Sequence, residues 1–224
     1  MKSWSTGPKN VIRTELMKQS RKKSGPAKTA LMIPSHTCLC VEEALKQGVI
    51  DKNTLILAIE KDPEISLAMV DKLVQLGVNY QLIHKDLCNI RDFSEYGVDV
   101  FDFVYLDTCC HLSPRMQEWI ENVLPTCTNI HSQVAFTFIN SDRGNWYNST
   151  PDCEYRFSKI SKTNTNSQRV AYRIKRLIPS RVKWGRAYKN GVDDAPMISL
   201  LMGRRRYADK KETGSTKTYD LGYV

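Results

Sequence analysis

Between residues 29 and 139 the chain alternates short unbroken apolar runs with longer segments of helical period, and few folds accommodate that alternation. The runs are "TALMI" (29–33), "TLILAIE" (54–60), "NYQLIHKD" (79–86), "FDFVYLD" (101–107) and "QVAFTFI" (133–139). Continuous apolar runs of this length suit strands covered on both faces rather than on one. The intervening segments 41–48, 63–77 and 114–124 read as helices, with Ile65, Ala68, Met69, Leu73 and Leu76 at helical spacing in the second. Strand–helix alternation implies parallel strands joined by right-handed crossovers, with ligands bound outside the carboxyl ends of the strands. A further helix is expected over 166–178, followed by strands over 181–191 and 195–205 joined by a turn. The expected architecture is therefore α/β: a doubly wound, mostly parallel seven-stranded sheet that ends in an antiparallel hairpin.

Charge divides the 224 residues unevenly. Residues 1–28 carry eight Lys/Arg against one Glu, residues 29–155 eight against eighteen Asp/Glu, and residues 156–224 seventeen against five. An acidic middle between basic flanks points to a domain whose ends meet a polyanion, that is, a nucleic acid. The other reading of the flanks is solubilising tails. The expected division is a basic N-terminal helix or extension over 1–28, one domain over 29–205 and a polar tail over 206–224. The first 23 residues are charged throughout and lack the apolar segment of a signal peptide, and no apolar run reaches the ~20 residues of a membrane span. The seven cysteines are odd in number and contain no CxxC pair, so no disulfide framework is expected. These features suit a cytoplasmic protein with no membrane partner.

If ligands sit at the carboxyl ends, the residues there carry the chemistry. The second, third and fourth apolar runs end in or beside Glu60, Asp86 and Asp107. A carboxylate at the end of the second strand can accept from both hydroxyls of a ribose. Asp86 can accept from an exocyclic amine while the Leu87 N–H serves a ring nitrogen, so together they describe an adenosine clamp. The plainer alternative is that such residues cap helices or close turns.

The order "ALMIPSHT … LILAIEKDPE … HKDLCNI … FDFVYLDTCCH … FTFI" with a terminal hairpin resembles the class I S-adenosylmethionine-dependent methyltransferases over residues 28–203. The resemblance implies a cofactor site built from the first loop (Ile33, Pro34, Ser35, His36), from Glu60 and Lys61, from Asp86 and Leu87, and from Asp107 beside the methyl group. The chain departs from the pattern in the first loop, which has no glycine before Gly48, where the family's backbone passes close beneath the cofactor. A catalytically silent methyltransferase-like module that binds nucleic acid through its basic flanks is the alternative, and a divergent first loop of this kind suits a phage or other mobile element.

After Asp107 stand Thr108, Cys109, Cys110 and His111. Asp107 is the expected catalytic residue. The prolines and aromatic of the amine-directed enzymes are missing here, whereas Cys110 stands at the offset of the nucleophile in cytosine-C5 RNA enzymes, with His111 beside it. Simple packing of the thiol is the other reading. Adjacent Cys and His side chains rarely converge on one tetrahedron, so no metal is expected. Beyond the fifth strand, Arg143, Trp146 and Tyr147 supply stacking planes and cations for unpaired bases. Arg169, Arg173, Arg176, Lys183 and Arg186 would track a phosphate backbone.

Overall fold

A computed structural model describes residues 7–108, 112–139, 180–189 and 196–204. Its elements run α1 (Gly7–Ser20), β1 (Thr29–Met32), α2 (Leu39–Lys46), β2 (Leu55–Ile59), α3 (Pro63–Leu76), β3 (Tyr80–Ile83), β4 (Phe103–Asp107), α4 (Pro114–Asn122), β5 (Gln133–Ile139), β6 (Ser180–Lys189) and β7 (Pro196–Arg204). Short 3-10 turns lie at Leu87–Asn89 and Ser94–Tyr96. The seven strands form one sheet in the order β3-β2-β1-β4-β5-β7-β6. β1 to β5 are parallel, and β7 runs antiparallel between β5 and β6. The sheet is thus the mixed, seven-stranded one that the sequence implies. The helix expected over 166–178 lies outside the described residues.

Strand order reverses between β1 and β4, which opens the crevice where an open α/β sheet binds ligands. Alternate strand residues feed two cores. Ala30, Met32, Ile56, Ala58, Phe103 and Tyr105 meet α1, α2 and α3 on one face. Leu31, Leu57, Val104 and Leu106 meet Trp119 and Ile120 of α4 on the other, where Trp119 also donates its indole N–H to Ile90 O at 3.0 Å. Burial on both faces explains why β1, β2 and β4 are unbroken apolar runs.

Local signals fix the helices. Asp62 accepts from the N–H groups of Glu64 and Ile65 ahead of Pro63, and Gly77 closes α3 at φ 64°. Ser113 caps α4 through the Met116 N–H, again with proline in the first turn. The basic helix begins at Gly7 and stops at Ser20, short of the Lys22-Lys23 end that its charge suggests. It lies on the sheet, with Ile12, Leu16 and Met17 almost wholly buried at 2%, 0% and 0% exposure.

Candidate functional site

The carboxyl ends of β1, β2 and β4, with the turn after β3, bring most of the expected residues to one edge of the sheet. Ile33 follows β1 directly and donates its N–H to Tyr105 O at 3.2 Å, locking the first loop to β4. Pro34 is buried and Ser35 exposed, with the Ser35 and Thr37 hydroxyls 2.9 Å apart. Cys38 closes the turn onto Ser35 O at 2.9 Å and takes a left-handed backbone, φ 49°, the conformation a glycine adopts most readily. Its buried thiol donates to Met69 O at 3.7 Å, which offsets part of that strain. The missing glycine is thus replaced by a tethered cysteine. The backbone N–H groups of Ser35, His36 and Thr37 donate to nothing among the described residues. They form a donor set beside the switch point suited to a carboxylate.

Glu60 stands one residue beyond β2. Its Oε1 accepts from the N–H groups of Lys61 and Asp62 at 2.8 and 2.9 Å, which fixes the carboxylate and leaves Oε2 for a ligand hydroxyl. Lys61 is exposed, and its carbonyl lies 2.9 Å from His84 Nε2, joining the turns after β2 and β3. Asp86 falls beyond the end of β3, not on it: Oδ1 caps the next turn through the Cys88 N–H at 2.9 Å, and Oδ2 meets Arg115 at 3.4 Å. Asp86 therefore does combine the capping role with its place at the edge, beside buried Leu87.

Asp107 ends β4, and its surroundings are the site's chief surprise. Lys9, on the first turn of α1, places Nζ 3.0 Å from each carboxylate oxygen. Arg13, one turn on, reaches Oδ2 at 3.9 Å, and the Tyr105 hydroxyl lies 3.4 Å from the same atom. The side chains of Lys9, Arg13 and Asp107 are only 4%, 8% and 9% exposed. Burial works against the Arg13 charge, but Tyr105, Cys40 and Asp107 together outweigh it, so its pKa is raised. Burial also pushes the Cys38 and Cys40 thiols up to about 12, so neither is a thiolate at neutral pH.

Sequence reasoning missed Lys9 and Arg13, reading the segment as a cationic face turned outward. A signal was present: both share a helical stripe with Ile12 and Leu16, and a cation on an apolar stripe needs a buried partner. Cys109, Cys110, His111, Arg143, Trp146, Tyr147, Arg169, Arg173 and Arg176 lie outside the described residues. Arg186 pairs with Ser199 across β6–β7. Lys183 sits at a bulge with its side chain crossing Gly203, and its ammonium comes within 3.2 Å of the Gln133 carboxamide, set as its neighbours require. Gln133 begins β5, so Lys183 is directed to the amino end of the sheet, away from the crevice. Among the described residues no three His, Cys, Asp or Glu side chains form a metal-binding group.

Strand order, switch point and reversed penultimate strand define the methyltransferase type of Rossmann-like fold. Solved structures agree. The chain is similar to the N-methyltransferase NodS of Bradyrhizobium japonicum, with a TM-score of 0.60 and 12% identity over 89% of this chain and 98% of that one. It is also similar to a putative RNA methyltransferase of Pyrococcus horikoshii, with a TM-score of 0.56 and 10% identity over 92% and 90% of the two chains. An O-methyltransferase family protein of Burkholderia thailandensis gives 0.53 and 15%, covering 89% of this chain and 56% of that one. No protein-family model matches the sequence, and no curated protein does. The likeness is one of fold, shared by proteins whose names span nitrogen, oxygen and RNA methylation.

Proposed function

We propose that the protein is an S-adenosylmethionine-dependent methyltransferase acting on nucleic acid. The observation that carries this reading is the row of carboxylates at one edge of the sheet, Glu60, Asp86 and Asp107, flanking the switch point where the fold binds ligands. The residues present fit the cofactor. Glu60 Oε2 would accept from its ribose, Asp86 and Leu87 would border its adenine, and the N–H groups of residues 35–37 would receive its carboxylate. When bound, the cofactor supplies an electrophilic methyl group on a sulfonium.

The basic flanks, net +7 over residues 1–28 and +12 over residues 156–224, support a polyanionic substrate. The buried free thiols of Cys38, Cys40, Cys88 and Cys127 support a reducing, cytoplasmic setting. Titration calorimetry with S-adenosylhomocysteine tests the cofactor assignment. The wild type should bind, and Glu60→Ala should weaken binding at least tenfold, about 1.4 kcal/mol, without loss of the thermal transition. Absence of heat at millimolar ligand would sink the assignment.

A silent nucleic-acid-binding module is the second reading. The two cations already covering Asp107 and the glycine-free first loop favour it. It predicts oligonucleotide binding that the cofactor leaves unchanged.

A further inference from the structure

We infer that the methyl acceptor is a hydroxyl oxygen, that Lys9 and Arg13 belong to the acceptor site, and hence that the substrate is RNA. The inference rests on the methyltransferase reading above. Around Asp107 two buried cations face one carboxylate, both from a single face of α1 and from positions remote in sequence. The local balance is one positive charge in excess, in a place almost closed to water, where charge is weakly screened. Arg13 Nε, buried with the rest of a side chain only 8% exposed, has no hydrogen-bond partner among the described residues. Such a donor is costly unless a ligand acceptor meets it.

An excess of positive charge discriminates between acceptors. An amine nitrogen gains positive charge as it is methylated, so Lys9 and Arg13 oppose its transition state. A hydroxyl oxygen gains negative charge as its proton leaves, so the same cations favour it. In that step the acceptor oxygen forms its bond to the methyl carbon while the sulfur–methyl bond breaks, with its electron pair left on sulfur. The hydroxyl proton passes to Asp107 Oδ2, and from there to water. Along a nucleic acid chain, the hydroxyl that recurs at every nucleotide is the ribose 2′-hydroxyl, which DNA lacks.

The test uses the full chain, a single-stranded RNA and a DNA of the same sequence, with S-adenosylmethionine carrying a labelled methyl group. Nucleoside digestion and mass spectrometry should place the methyl on ribose, with DNA unmodified. Lys9→Met should lower transfer about 100-fold, and Lys9→Arg should restore part of it. A binding measurement reads the same charge without turnover. The wild type should prefer neutral S-adenosylhomocysteine over the cationic methyl donor, and Lys9→Met should shrink that preference about tenfold. Methyl on a base, modification of DNA, transfer to neither polymer, or an unchanged binding preference would overturn the inference. If Lys9→Met does not fold, the methylated atom in the wild-type product still decides. No binding of S-adenosylhomocysteine to the wild type defeats the methyltransferase reading and this inference together; any of the other failures with binding intact defeats this inference alone.

Discussion

At Asp107 the pairing is asymmetric, and burial makes the asymmetry large. Removing the carboxylate strands Lys9 and Arg13 together in a site where neither reaches water, whereas removing Lys9 leaves Arg13 to face Asp107. Asp107→Asn should therefore destabilise the fold by about 3–5 kcal/mol, and Lys9→Met by clearly less. Urea unfolding of both variants checks the order, and equal losses would mean that the ion pair is not the organising contact. Cysteine chemistry sharpens the same neighbourhood. With their thiols pushed up to about 12 and their side chains buried, Cys38 and Cys40 should resist iodoacetamide at pH 8 in the folded protein and react once it is unfolded. Peptide mapping reads both states, and rapid native labelling of either would contradict the packing of the first loop.

Elements were more legible than contacts. The run 54–60 shows itself as a strand because burial on both faces demands an unbroken apolar stretch, and β2 occupies Leu55–Ile59. Asp62-Pro63 marks the start of α3 because cap and first-turn proline are local chemistry. The contact of Lys9 with Asp107 spans 98 residues and has no local cause, so only the packing of α1 onto the sheet discloses it. Asp86 shows the intermediate case: its place near the edge is legible, but its union with Cys88 N–H and Arg115 depends on where β3 stops. Because Leu16 is fully buried, Leu16→Ala should cost about 2–5 kcal/mol, while Asp62→Ala, the loss of a cap, should cost about 1 kcal/mol. Thermal melts of the two variants separate core from cap, and a smaller loss for Leu16→Ala than for Asp62→Ala would show α1 to be loosely held.

For the whole molecule, charge and packing together decide how the polyanion reading is probed. Truncating residues 1–28 would strip Leu16 and Met17 from the core, so that flank is tested by substitution at exposed Lys18, Arg21 and Lys23. The C-terminal flank is itself uneven. Residues 156–205 hold thirteen Lys/Arg against two Asp, while residues 206–224 hold four against three acidic residues. The last segment is nearly neutral despite its many charges, and counterion release depends on cations that neutralise phosphates. Removing residues 206–224 should therefore leave the salt dependence of oligonucleotide affinity almost unchanged. Neutralising Arg169, Arg173 and Arg176 should flatten it by roughly 0.7 in log–log slope for each single-strand phosphate that no longer meets a cation. Fluorescence anisotropy between 50 and 200 mM salt reads both, and a slope that falls with the tail but not with the three arginines would place the binding surface outside residues 156–205.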